Sequence, residues 1–131
     1  MSLFDKLFGS EKPTSMPDVF WNYLETMPEL EEIDALSYTK PVVVFKHSTR
    51  CSISRMAWNQ FQTEYQVPNE QMPLYYLDLL NHREISNEIA SRYAVHHQSP
   101  QVLVIKNGKA IYSASHESIN AELVARMAIE L

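Results

Sequence analysis

Apolar residues fall into two kinds of pattern along this chain. Residues 41–46, with three valines and a phenylalanine, and residues 72–79, Met-Pro-Leu-Tyr-Tyr-Leu-Asp-Leu, are short and do not alternate with polar positions. Such β-branched and aromatic runs suit strands buried on both faces. Elsewhere apolar positions recur every four residues. Ile53, Ala57, Phe61 and Tyr65 form one stripe beside Trp58. Ile85, Ile89 and Tyr93 form a second beside Ala90 and Ala94, and Ile119, Leu123 and Met127 a third beside Val124 and Ala128. Each stripe predicts one helix face turned to a core. A further helix is predicted over 27–38, capped by Thr26, with Leu30, Ile33, Ala35 and Leu36 apolar, and broken at Lys40-Pro41. Residues 19–24 read as a first strand, with Trp21 and Tyr23 on one face.

Turn chemistry orders these pieces. Val67-Pro68 ends the second helix, and the third starts on a partial capping box, Asn81 with Glu84, and ends near Val95. Asn107-Gly108 separates two strand-like runs, 101–106 and 109–114. That pair predicts a hairpin, because a type I′ turn needs positive φ at both central residues. Ser118 is the expected cap of the last helix. The order is β-α-β-α-β-α-β-β-α. Helices between buried strands imply parallel crossovers, and the hairpin adds an antiparallel edge strand. The expected class is α/β, a mixed central sheet with helices on both faces. This is the thioredoxin arrangement with an extra βα unit at its N-terminus. The domain is expected over 18–131. Residues 1–17 read as an appendage and linker, with Leu3, Phe4, Leu7 and Phe8 on one face of a short helix ended by Gly9. They suit either a small docking or membrane-surface anchor or, more simply, a frayed terminal helix.

Composition removes several functions. There are only two glycines, Gly9 and Gly108, so neither a Walker loop nor a dinucleotide fingerprint can be built. The formal net charge of -5 speaks against a nucleic-acid partner, whose phosphates demand a basic face. No apolar run approaches the ~20 residues of a membrane span, and the first ten residues read as too short and too polar for a signal peptide. A cytoplasmic, reducing location is the resulting expectation. With one cysteine, Cys51, neither an internal disulfide nor a cysteine-based zinc site is possible.

Cys51 follows a buried strand and opens a helix. Sites in open α/β sheets lie at the carboxyl ends of strands. A helix N-terminus offers unpaired N–H groups and a positive dipole end, both of which favour a thiolate. Lys46, His47, Arg50 and Arg55 are near in sequence and add expected positive potential. His47 could act on the cysteine's proton. Ser54 stands where a dithiol oxidoreductase has its second cysteine, so a mixed disulfide at Cys51 would need an external thiol to resolve it. Ser52 and Ser54 are candidate donors to the thiolate. Ser99-Pro100, just before the fourth strand, occupies the place of a cis-proline facing the cysteine, where Ser99 would offer its backbone to a bound peptide or thiol.

The stretch Val43-Val44-Phe45-Lys46-His47-Ser48-Thr49-Arg50-Cys51-Ser52-Ile53-Ser54 resembles the bacillithiol-system redox protein family YtxJ, monothiol bacilliredoxin-like proteins of the thioredoxin superfamily. So do His82-Arg83-Glu84-Ile85-Ser86-Asn87, the segment from Gln98-Ser99-Pro100-Gln101 through Ile105-Lys106-Asn107-Gly108-Lys109, and Ala114-Ser115-His116. The resemblance spans roughly residues 20–131. The family commonly has proline directly after the cysteine, where this chain has Ser52. The resemblance implies a thioredoxin-like fold, a redox Cys51, and reduction of mixed disulfides between proteins and bacillithiol. It makes bacillithiol a co-substrate and S-thiolated proteins the partners, with no tightly bound cofactor. Expected substrate-binding residues around Cys51 are His47, Thr49, Arg50, Ser52, Ser54, Ser99 and Pro100.

Two other functions compete: a non-enzymatic stress or interaction protein of the same fold with an inert cysteine, and an iron–sulfur carrier. The second is weakened by Ser52, since such carriers resemble Cys-Gly-Phe-Ser at the site. No metal site is expected from His47, His82, His96, His97 and His116, although His96 and His97 approach Ser99-Pro100 and could line the same cleft. His116 reads as a helix-start residue. Trp58 and the tyrosines read as core, and Asp78 as a turn residue closing its strand.

Overall fold

The computed structural model describes residues 21–130. In chain order it contains β1 (Asn22–Tyr23), α1 (Met27–Leu36), β2 (Val42–His47), α2 (Ser52–Glu64), β3 (Leu74–Asp78), α3 (Arg83–Arg92), β4 (Gln101–Lys106), β5 (Lys109–Ser115), a 3-10 turn (His116–Ser118) and α4 (Ala121–Glu130). The appendage expected over 1–17 lies outside the described residues, as do residues 19–20 of the expected first strand.

The sheet order is β1-β3-β2-β4-β5. Strands β1, β3 and β2 are parallel, so the first two helical connections are crossovers of the expected kind. The third is different. Strand β4 runs antiparallel to β2, with Gln101 opposite Lys46 and Ile105 opposite Val42. Segment 93–100 returns the chain from α3 to the carboxyl end of β2 before β4 begins, and this brings Ser99-Pro100 to that end of the sheet. The hairpin between β4 and β5 is as predicted, with positive φ at Asn107 (54°) and Gly108 (72°).

Side chains alternate across β2, and all six of its residues are buried. Val42 and Val44 pack with Leu30 and Ile33 of α1 and Ile85 and Ile89 of α3 on one face. Val43 and Phe45 pack with Trp58 and Phe61 of α2, with Tyr65 at its C-cap, and with Ala121 and Val124 of α4 on the other. Lys46 therefore belongs to the α1–α3 face and His47 to the α2 face.

Helix ends mix expected and unexpected chemistry. Thr26 caps α1 in a full capping box with Glu29. The helix stops at Leu36, two residues earlier than its pattern suggests. Buried Ser37 then holds the distant hairpin: its carbonyl accepts from Asn107 N–H at 2.7 Å and its hydroxyl from Gly108 N–H at 2.9 Å. Asn81 does not cap α3. Its amide donates to Asp78 Oδ2 at 2.8 Å, and His82 takes the cap position without a side-chain bond. Nor does Ser118 cap α4: it lies in the 3-10 turn, and Asn120 Oδ1 accepts from Leu123 N–H at 3.0 Å instead. Helix α3 ends at Arg92, where Ala94 adopts φ 54° and Val95 N–H reaches back to Ala90 O. Ile53, predicted on the apolar stripe of α2, is 64 % exposed, whereas the next residue, Ser54, is fully buried and takes the inward position of that turn.

Candidate active site

Strand β2 ends at His47, and the chain turns through Ser48 to Cys51, whose N–H donates to Ser48 O at 3.1 Å. Cys51 is the N-cap of α2, with extended backbone (φ -100°, ψ 121°), and its carbonyl accepts from Arg55 N–H at 3.0 Å. The thiol is half-buried and makes no capping hydrogen bond. It thus sits at a helix N-terminus on the carboxyl edge of the sheet, a place of unpaired N–H groups and positive dipole.

Ser54, one turn into α2, supports this turn from beneath. Its fully buried hydroxyl accepts from Ser48 N–H at 3.0 Å and lies 2.7 Å from His47 Nδ1. His47 is itself buried, at 3 % exposure. The structure therefore joins His47 and Ser54 to each other below the surface. Both were expected among the substrate-contacting residues, and the bond occupies the Ser54 hydroxyl expected to serve the thiolate. Desolvation holds the His47 imidazole below its ordinary pKa; Asp78 opposes this and Arg55 adds to it. Its ring packs against Tyr76 and Trp58, with centroids 5.5 and 6.5 Å away.

Thr49, Arg50 and Ser52 are exposed around Cys51, and the Arg55 guanidinium donates to Thr49 O at 3.2 Å. The Ser99–Pro100 peptide bond is cis. Pro100 is buried and its carbonyl accepts from His116 N–H at 3.1 Å, while the Ser99 hydroxyl is buried without a partner.

Lys46 does not add charge beside Cys51 as its sequence position suggests. Strand alternation turns it to the opposite face, where it is fully buried and its Nζ points to Ser86 O at 3.5 Å. Burial lowers its pKa to about 8. His97 also departs from expectation. Its Nδ1 lies 3.3 Å from Ser86 Oγ, and with His96 it borders a shallow depression over α3 formed by Asn87, Ala90 and Ser91. These two histidines belong to the α3 face, not to a cleft around Cys51. Among the described residues, no group of three or more His, Cys, Asp or Glu is arranged to hold a metal ion.

One feature beside the site was not anticipated as a cleft. Trp21, Tyr23, Trp58 and Tyr76 line a cavity of about 310 Å³ together with Glu25 and Asp78. From the sequence, Trp21 and Tyr23 are expected on a strand face, and Trp58 and Tyr76 in the core. The available signal was the pair Trp21 and Tyr23, two apart and expected on one face of the first strand. Asp78 does hold the turn after β3, accepting from Leu80 N–H at 3.2 Å and from the Asn81 amide at 2.8 Å, and the residue also borders this cavity.

The sequence model of the monothiol bacilliredoxin BrxC matches residues 22–124. The chain belongs to that family. A solved structure described as a candidate oxidoreductase with a thioredoxin fold is similar at 31 % identity and a TM-score of 0.69, covering 81 % of this chain and 91 % of its own. Thioredoxins from Malassezia sympodialis (16 % identity, TM-score 0.67, 88 % of this chain and 93 % of theirs) and Fasciola hepatica (18 %, 0.61, 83 % and 97 %) share the fold. The bacilliredoxin-family chain thus has the thioredoxin fold and a thiol redox role, and Cys51 is its one thiol. Among the described residues no helix is long and apolar enough to cross a membrane.

Proposed function

We propose that the protein is a monothiol thiol–disulfide oxidoreductase that removes bacillithiol from S-thiolated proteins through Cys51. The observation that carries this reading is the position of the chain's one thiol: at the N-cap of α2, half-buried, at the carboxyl edge of the sheet. In the first step the Cys51 thiolate attacks the bacillithiol sulfur of the mixed disulfide. A sulfur–sulfur bond forms between Cys51 and bacillithiol, the old one breaks, and the protein leaves as a thiolate that takes a proton. A second bacillithiol thiolate then attacks the adduct. It releases Cys51 as thiolate and departs as the bacillithiol disulfide.

Neighbouring residues divide into two groups. Thr49, Arg50 and Ser52 line the exposed approach, with Ser99 and Pro100 on the loop before β4. His47 and Ser54 act from below, fixing the turn that presents Cys51. With Ser54 in place of a second cysteine, the adduct has no internal resolving thiol, which is why bacillithiol enters twice, as cargo and as co-substrate. We assign this chemistry to a reducing compartment, the cytoplasm.

The test is incubation with a bacillithiol-modified protein followed by intact-mass measurement. The expected outcome is a bacillithiol adduct on the wild-type chain, removed by excess bacillithiol and absent from Cys51→Ala. If no adduct forms and Cys51→Ala behaves like wild type, the cysteine is inert and the chain is a binding module of the same fold.

A further inference from the structure

The cavity beside α2 has walls of unusual composition. Trp21 and Trp58 meet edge to face at 5.3 Å, Tyr23 and Tyr76 likewise at 5.7 Å, and Trp58 and Tyr76 lie 4.8 Å apart. Four aromatic rings therefore form one continuous wall. Glu25 and Asp78 border the same space, as do Asn81 and His82. Asp78 already accepts from Leu80 N–H and from the Asn81 amide, which leaves the Glu25 carboxylate as the uncommitted one. Asp78 lies close enough to Tyr76 for its charge to help raise that phenol's pKa, behind the larger effect of burial. Glu25 is exposed, and its backbone N–H, not its carboxylate, takes part in the cap of α1.

Aromatic faces carry negative potential, so a ring cluster with carboxylates favours a cation over an anion or a neutral group. The volume, about 310 Å³, is at the small end of ligand sites. It admits one extended side chain. On a protein of net charge -5, the long-range field acts in the same direction.

We propose that this cavity receives an arginine or lysine side chain of the protein being reduced, and so selects mixed disulfides that have a cation near the modified cysteine. This rests on the function proposed above. Trp58, on the cavity wall, lies seven residues beyond Cys51, two helical turns or about 10 Å along α2, a span that a long side chain flanking the modified cysteine of the partner can bridge.

The two tryptophans of the sequence both line the cavity, so intrinsic fluorescence reads its occupancy directly. The full chain as Cys51→Ser, which cannot exchange disulfides, is titrated with a short neutral-flanked peptide containing arginine and with its citrulline isostere. The expected result is a saturable change with the arginine peptide and binding at least about tenfold weaker for citrulline, a factor within reach of a desolvated cation–π contact. Glu25→Gln and Tyr23→Leu, both at exposed rim positions, should each weaken arginine binding. Equal response to the two peptides overturns the proposal, as does arginine binding unchanged in both rim variants. Failure here leaves adduct formation on wild-type Cys51 intact. Failure of the redox reading removes the adduct while leaving arginine binding in place.

Discussion

His47 Nδ1 and Ser54 Oγ lie 2.7 Å apart with both side chains buried, one at the end of β2 and the other in the first turn of α2. The bond ties together the two elements that flank Cys51. Because the same hydroxyl accepts from Ser48 N–H, removing it strands a buried imidazole nitrogen and a backbone donor at once. Leaving buried polar groups unpaired costs about 1–3 kcal/mol. Ser54→Ala is expected to lower unfolding stability by that amount in urea denaturation. Its adduct formation at Cys51 should also slow, since the turn that presents the thiol loses its support. Unchanged stability would mean that the Ser54 hydroxyl does not hold the turn.

Acid should weaken the fold through the same histidine. His47 and His97 both titrate below the ordinary 6.5 in the folded protein, chiefly because burial penalises the imidazolium. The unfolded chain then binds more protons than the folded one below pH 6.5. Stability is therefore full above that value and falls as pH drops from it toward the depressed folded pKa values. Urea midpoints measured down to about pH 5 should decline, and the decline should be shallower in His47→Gln. A slope identical to wild type would show that His47 does not contribute to it.

Lys46 gives the opposite end of the pH scale. Its pKa falls from 10.5 to about 8 because the ammonium is buried, with Ser86 O at 3.5 Å as its hydrogen-bond acceptor. Between those two values the unfolded chain again holds more protons, so wild-type stability rises with pH through that window. At neutral pH the charge is present in both states and its burial is a cost. Replacing buried charge with an apolar side chain of similar volume is often stabilising by about 1–4 kcal/mol. Lys46→Met should unfold at higher urea than wild type at pH 7, and the difference should shrink above pH 8. A less stable variant at pH 7 would mean that the buried ammonium contributes more through its contacts than its desolvation costs.

The readable part of this molecule was whatever local pattern decides. The spacing of Ile85, Ile89 and Tyr93, the unbroken run before His47, and Asn107-Gly108 each determine an element from a few neighbouring residues. The placement of Cys51 at a helix N-terminus followed from the strand before it and the stripe after it. What escaped depended on partners far apart in sequence. The direction of β4 relative to β2 rests on the route of 93–100. Asn81 lost its capping role because Asp78 bound its amide. Lys46 looked like part of the Cys51 surroundings because it is near in sequence, whereas strand alternation turned it to the other face. The cavity at Trp21 and Trp58 could not be read because residues 37 apart in sequence supply its walls.

Two small residues at positive φ should respond in opposite directions. Gly108 (φ 72°) sits in the hairpin turn, where an added Cβ would collide with the Tyr38 ring and its oxygen. Gly108→Ala adds left-handed strain, which costs about 1–2 kcal/mol, and a smaller steric part, since the exposed Tyr38 side chain can move aside. Ala94 (φ 54°) follows Tyr93, the C-cap of α3, at a position glycine commonly fills, with Val95 N–H bonded to Ala90 O at 3.1 Å. In Ala94→Gly the relief of that strain exceeds the extra backbone freedom of the unfolded chain, worth about 0.4–1 kcal/mol. Thermal denaturation should therefore show Gly108→Ala melting lower than wild type and Ala94→Gly melting higher. Gly108→Ala combined with Tyr38→Ser should recover the steric part of the loss and leave the backbone part. If the double variant melts no higher than Tyr38→Ser alone lowered by the full Gly108→Ala loss, the Tyr38 ring is not what fills the space beside the turn.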